Sequence, residues 1–204
     1  MFAGVKTGAV LVAHPDDETL WAGGTILAHP EIGWTIMTLT RKFDTDRSSK
    51  FFKAAGLFGA KGFMADLDDE PDQNPIKQSD IQWAILNTLP EKNFDIILTH
   101  NPQGEYTRHI RHEELSLAVL NLWKEGKLKA KQLLFFAYED GGKKYLPRPR
   151  KDADVVINLP KDIWQKKKDI IIDNYGFSPD SFEAKAASNV EAFQITVTPK
   201  DIKI

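Results

Sequence analysis

Apolar runs of strand length alternate with amphipathic runs of helix length along most of this chain. "GAVLVA" (8–13) and "WTIMTLT" (34–40) read as buried strands, and the stretch from Glu18 to His29 is long enough for a crossover helix, which makes one βαβ unit. "DRSSKFFKAAGLFGA" (46–60) predicts a helix with Phe51, Ala55 and Phe58 on one side, followed by a strand in "KGFMADL". "SDIQWAILNTL" (79–89) predicts a helix capped by Ser79 with Ile81, Trp83, Ile85 and Leu86 behind it, and "FDIILTH" (94–100) another buried strand. "HEELSLAVLNLWKEG" (112–126) reads as a helix stopped by Gly126, and "QLLFFAYE" (132–139) as the strand after it. This alternation predicts a three-layer α/β domain with a mostly parallel sheet.

After Asp140 the pattern changes. "DGGKKYLPRPRKDADV" (140–155) is rich in Gly, Pro and cations and reads as a lid-like loop; a helix is expected over 160–176 and an edge strand in "EAFQITVTP" (191–199). Residues 141–204 hold too little apolar material for a core of their own, so a single domain over 1–204 is expected, with 1–140 as its α/β core and the rest as decoration. An edge strand at that end would also offer a route to an oligomer.

The 204 residues are 42% hydrophobic and 27% charged, enough for one good core. Lys and Arg number 27 against 29 Asp and Glu, and a net charge of -2 gives no drive toward nucleic acid or an anionic membrane, so a small or neutral ligand fits better. The absence of cysteine removes disulfides, thiolate metal sites and a cysteine nucleophile, leaving His, Asp and Glu as the strong metal ligands. No apolar run reaches the roughly 20 residues of a membrane span, and the first residues carry neither a basic leader nor a cleavage site, so a soluble cytoplasmic protein is expected.

In a parallel sheet, ligands bind outside the carboxyl ends of the strands. There the first strand runs into "HPDDE", whose acids would repel phosphate and suit a cation. His14 and Asp17 can converge on one ion while Asp16 points elsewhere; equally, Asp16 or Asp17 can cap the next helix, with Glu18 favouring its dipole. The second cluster tips the balance. "THNPQGEYTRHIRHEEL" (99–115) follows the strand "FDIIL" and holds three of the five histidines, His100, His109 and His112. H-x-x-H sets His109 and His112 about one helical turn apart, although such a pair on its own is more often a surface turn. Two histidines and one aspartate make a three-ligand set that leaves zinc an open position for water.

"AHPDDE" after a first strand, "LTR" after a second, an arginine with "AAGLFGA" on the next helix, and then "THNPQGEYTRHIRH" resemble the PIG-L/LmbE-like family of zinc-dependent de-N-acetylases, in order over roughly the first 140 residues. The resemblance implies a Rossmann-like fold and removal of the acetyl group from an N-acetylated amino sugar or related small conjugate. It implies His14, Asp17 and His112 as ligands of one zinc ion per chain, Asp16 as general base, and His109 as the residue that stabilises transition-state charge or protonates the leaving amine. A donor such as protonated His109 or the Tyr106 hydroxyl would hold the carbonyl oxygen as it gains charge. Two histidines and an aspartate suit Fe(II) or Co(II) as well as zinc.

Arg47 matches a position where that family contacts the sugar conjugate and reads nearly as well as an ordinary surface arginine. Among Asp66, Asp68 and Asp69 one can reach sugar hydroxyls, although a solvated acidic loop is the simpler reading, as it is for the basic segment 143–150. His29 is expected to be structural, and the five tryptophans to lie mostly in the core. One departure stands out: Arg111 occupies the place where the family often has an acid beside the other histidine, and Glu105 and Glu113 are the acids near enough to replace it. Two other classes compete with the deacetylase: a non-catalytic metal- and sugar-binding module, against which an unliganded Asp16 argues, and a metal-dependent ester or phosphate hydrolase.

Overall fold

The computed structural model describes residues 2–106 and 108–197. In chain order its strands are β1 (Thr7–Val12), β2 (Gly33–Thr40), β3 (Lys61–Leu67), β4 (Asn93–Thr99), β5 (Lys129–Phe136), β6 (Tyr138–Glu139), β7 (Arg148–Pro149), β8 (Val155–Asn158) and β9 (Val190–Thr196). Its helices are α1 (Asp17–Ala28), α2 (Thr45–Leu57), α3 (Gln78–Thr88), α4 (Ile110–Lys124), α5 (Lys161–Asp169), which widens into a π-helical turn over Ile170–Asn174, and α6 (Phe182–Ala186). Seven strands form one sheet in the order β3-β2-β1-β4-β5-β9-β8, and β6 and β7 form a short ribbon. The first five pair in parallel, with Val10 of β1 opposite both Ile36 of β2 and Leu98 of β4; β9 and β8 add on antiparallel.

Helices cover both faces, which is why the central strands read as continuous apolar runs. Val10, Val12, Ile36, Ile96 and Leu98 pack with Trp21, Ile26 and Phe51 from α1 and α2. The alternate residues Ala9, Leu11, Met37 and Ile97 pack with Ile81, Ile85, Leu115 and Val119 from α3 and α4. Gly24 lets α1 lie close to the chain before α5, because a Cβ there would collide with the Leu159 side chain. Gly126 ends α4 at φ +69, a conformation that suits a residue without a Cβ.

The stretch before the site's second cluster keeps the expected order of elements, and three expectations need correction. Trp83 is 67% exposed, because Ile81 and Ile85 take up the buried side of α3. Lys77, not Ser79, is the N-cap of α3, and the Ser79 hydroxyl donates to Asp80. The strand at 190–196 is interior rather than an edge: it is held between β5 and the four-residue β8, whose alternating half-exposure is that of a true edge. Residues 198 and 199 of the expected strand lie outside the described residues. Among the described residues no helix is long and apolar enough to cross a membrane.

The chain leaves β1 toward one face, through α1, and leaves the neighbouring β4 toward the other, through α4. Between such strands the connections diverge and open a crevice at the carboxyl ends, the ordinary ligand position of an open α/β sheet.

Candidate metal centre and active site

Both histidine-bearing segments enter that crevice. His14 comes directly after β1, Asp17 opens α1, and His112 sits in the first turn of α4. Asp17 Oδ2 lies 3.0 Å from His14 Nδ1 and 3.4 Å from His112 Nε2, and those two nitrogens are 3.3 Å apart. A tetrahedral ion about 2.0–2.1 Å from each donor spaces the donors by roughly 3.3–3.4 Å. The triangle therefore has the size such an ion needs.

The protons point the same way. A carboxylate only accepts, so His112 Nδ1 donates to Glu105 Oε2 at 2.8 Å, while His14 faces a carboxylate at both nitrogens, Asp69 Oδ1 at 3.1 Å from Nε2 and Asp17 Oδ2 at 3.0 Å from Nδ1. A bound cation would keep the His14 proton on Nε2, and the lone pairs would then fall on His112 Nε2 and His14 Nδ1, the two nitrogens that face Asp17. Trp21 Nε1 donates to the other oxygen of Asp17 at 3.2 Å and fixes the carboxylate. His100 is also within reach, 3.5 Å from Asp17 Oδ2, and the set Asp17, His100 and His112 is a geometric alternative. Its Nε2, however, already accepts the Ala13 N–H at 3.0 Å, which spends the lone pair a ligand would need. His100 thus supports the site through Glu105, whose Oε1 lies 3.1 Å from its Nδ1.

The electrostatics result from packing charges into a dry place. Against burial, the charges of Glu105 and Asp17 pull His100 up to about 9, while the bond from the Ala13 N–H pulls the other way, because it needs a bare Nε2. Burial would raise Glu105, yet His100 and His112 hold it at about 2; Asp69 is likewise held at about 2 by His14 and Arg41. Asp17, also opposed by burial, lies well below the carboxylate range beside His112 and His100. Asp16 moves in the opposite direction: burial first, then the charges of Asp17 and Glu18, push it well above its ordinary value. A carboxyl shifted upward beside donors kept ionised is an arrangement suited to proton transfer.

An open cleft of about 430 Å³ exposes this centre, lined among others by His14, Asp16, Asp17, Arg47, Tyr106 and His109. His112 is 1% exposed and does not line the cleft; it lies against His14 and Asp17, which do. Six of the seven residues singled out from the sequence line the cleft, and the seventh, His112, contacts two of them. The Arg47 guanidinium stands 3.6 Å from Asp16 Oδ2 and 5.2 Å from the Phe177 ring, so it faces the site and is not an ordinary surface arginine. Tyr106 stacks on Trp21, and its hydroxyl is kept protonated by burial and by the charges of Asp17 and Glu105. The His109 ring lies 4.4 Å from that of His112 and 4.7 Å from that of His14. Burial, then the charges of His112 and His14, lower it to about 4.

Arg111 explains the departure in "HIRH". Its side chain is fully buried and turned away from His109, donating to Asp68 O at 2.6 Å, Asn74 O at 2.8 Å and Glu114 Oε2 at 2.6 Å. It clamps the 68–74 loop, which carries Asp69, to α4. Neither expected substitute acid serves His109: Glu105 serves His100 and His112, and Glu113 pairs with Arg108 at 2.6 Å. The sequence reading missed the part played by Asp69, which four neighbouring acids made indistinguishable, and by Glu18, buried and bonded to the Asp16 N–H.

No family model matches the chain. An uncharacterized protein of Acanthamoeba polyphaga mimivirus is 25% identical over 123 residues, 52% of this chain and 53% of that protein, so the match spans about half the length of the curated relative. Among solved structures, N,N'-diacetylchitobiose deacetylase from Pyrococcus horikoshii superposes with a TM-score of 0.69 at 16% identity, covering 96% of this chain and 85% of that one. The 4-carboxy-2-hydroxymuconate hydratase from Pseudomonas putida gives a TM-score of 0.63 at 16% identity, with 93% and 95% covered. The chain shares their fold, in keeping with the Rossmann-like architecture expected from the resemblance. One fold thus carries a deacetylase and a hydratase, and the chemistry here has to be argued from the site.

Proposed function

We propose that this protein is a zinc-dependent amidohydrolase that releases acetate from an N-acetylated amino sugar or a related small conjugate. The observation that carries the reading is the triangle of His14 Nδ1, Asp17 Oδ2 and His112 Nε2, three lone-pair donors at 3.0–3.4 Å with Asp16 beside them in an open cleft. Zinc held there supplies Lewis acidity, which acidifies water and polarises a carbonyl oxygen. Asp16 takes the proton of the attacking water and returns it to the nitrogen as the C–N bond breaks, leaving acetate and a free amine. The ring N–H of His109 and the Tyr106 hydroxyl donate to the carbonyl oxygen as it gains charge, and Arg47 binds the sugar. The protein is read as one domain, with the segment after Asp140 supplying part of the cleft through Phe182 and Glu183.

The hydratase of the same fold favours a second reading, addition of water to an unsaturated acid. The charges of the cleft weigh against it. Arg41 is committed to Asp69 at 2.7 Å, and Asp16, Asp17, Asp69 and Glu183 line the same space, a poor host for a polyanion and a good one for a neutral acetamido sugar. Amine release from a panel of N-acetylglucosamine conjugates, run beside ester, phosphate and unsaturated-acid substrates, tests the choice. Amine from the acetamido sugars alone supports the reading, and turnover confined to another arm overturns it.

A further inference from the structure

Asp16 sits in an uncommon backbone conformation. Its φ is 115°, a region that residues with a Cβ rarely occupy and that persists only where the surroundings impose it. Its carbonyl accepts from the Thr19 and Leu20 N–H groups, each at 2.9 Å, and its own N–H donates to Glu18 Oε2 at 3.0 Å. Glu18 Oε1 accepts in turn from the Thr19 hydroxyl at 2.6 Å and the Tyr175 hydroxyl at 2.7 Å. Glu18 is 0% and Tyr175 2% exposed, so solvent has no access to replace either contact.

Thr19 belongs to α1 itself, whereas Tyr175 lies 157 residues away in sequence and arrives at the end of the π-helical turn Ile170–Asn174. That turn holds one more residue than a regular helical turn and so rotates the side chains at its end; the Tyr175 N–H bonds back to Ile170 O at 2.9 Å.

We propose that Tyr175 is a positioning residue: through Glu18 it holds Asp16 in its left-handed conformation, with the carboxyl in the cleft beside His14, Asp17 and His112. The proposal rests on the reading of Asp16 as the proton-transfer group. It gives the segment after Asp140 a part in the reaction although Tyr175 does not line the cleft. Misplacing a reacting group by about 1 Å can cost on the order of a hundredfold in rate, so a lost hydroxyl at this distance is expected to register in kcat.

The test compares zinc-loaded wild type, Tyr175→Phe, Asp16→Asn and the double variant for kcat, KM, zinc content and the crystallographic φ of residue 16. Tyr175→Phe is expected to lower kcat by about ten- to a hundredfold with KM and zinc content kept, to let φ leave the positive region, and to change the residual rate of Asp16→Asn by less than about twofold. A structural role alone would lower the rate equally in both backgrounds; that result, or an unchanged φ, overturns the proposal. If wild type releases no amine from any substrate, the hydrolase reading fails, and φ alone decides the relay: it stands if residue 16 relaxes and falls if it does not. Glu18→Gln, which keeps the shape but removes one acceptor, carries the same test if Tyr175→Phe does not fold.

Discussion

His112 Nε2 lies 3.3 Å from His14 Nδ1, while each ring gives its other nitrogen to a carboxylate, Glu105 for one and Asp69 for the other. With the ring protons on the outer carboxylate sides, the two lone pairs and Asp17 Oδ2, which lies within 3.4 Å of both nitrogens, would converge on the point a cation would fill.

Removing the outward partners should therefore loosen the metal without touching a ligand. Asp69→Asn and Glu105→Gln are each expected to weaken zinc binding by about 10–100-fold, measured by competition with a chromogenic chelator. Affinity equal to that of wild type in both variants would remove the carboxylates from the account.

In the proposed mechanism Asp16 moves a proton and does not hold the ion. Asp16→Asn should keep zinc and lose about 10²–10⁴-fold in kcat. Loss of zinc from this variant would make Asp16 a ligand instead.

Away from the cleft, Lys167 Nζ donates to Glu191 Oε1 at 2.7 Å with both side chains fully buried, and Glu191 also accepts from the Gly24 and Thr25 N–H groups of α1, each at 2.7 Å. Lys167→Met strands one charge of the pair and should cost about 3–5 kcal/mol in urea unfolding; pairing it with Glu191→Leu should recover part of the loss.

Asp95 joins three neighbouring strands, accepting from the Lys6 N–H at 2.7 Å and the Thr7 N–H at 3.1 Å and pairing with Lys131 at 2.6 Å. The Lys131 contact first, then the two backbone donors, hold its pKa below the usual carboxylate range. A carboxyl depressed in the folded state stabilises it above the unfolded-state pKa, near 4, and that contribution is lost as pH falls toward the folded value. Thermal scans from pH 6 down to pH 3 should show wild type losing more stability than Asp95→Asn over the lower half of the range.

Much of this was legible because local pattern and chemistry agreed. The parallel strands are buried on both faces and so read as unbroken apolar runs, and HPDDE and HIRH are short enough to expose their chemistry without the fold. The hidden features depend on pairings distant in sequence. Nothing local in "VVIN" says that it would cover β9, and nothing in "ADLDDEPD" distinguishes Asp69, which reaches His14, from Asp68, whose carbonyl goes to Arg111. Arg111 read as a missing acid because its partners lie 37 and 43 residues away, in a loop with no pattern of its own. Trp83 read as core from its type, and the helix turned it outward.

We propose that His14, Asp17 and His112 hold a metal ion and that Asp16 is not a ligand. Elemental analysis of purified wild type, His112→Ala and Asp16→Asn after reconstitution with zinc tests it most directly. One zinc per chain is expected in wild type and Asp16→Asn, and loss of zinc from His112→Ala. Wild type without a bound transition metal, or His112→Ala with a full complement, would contradict it.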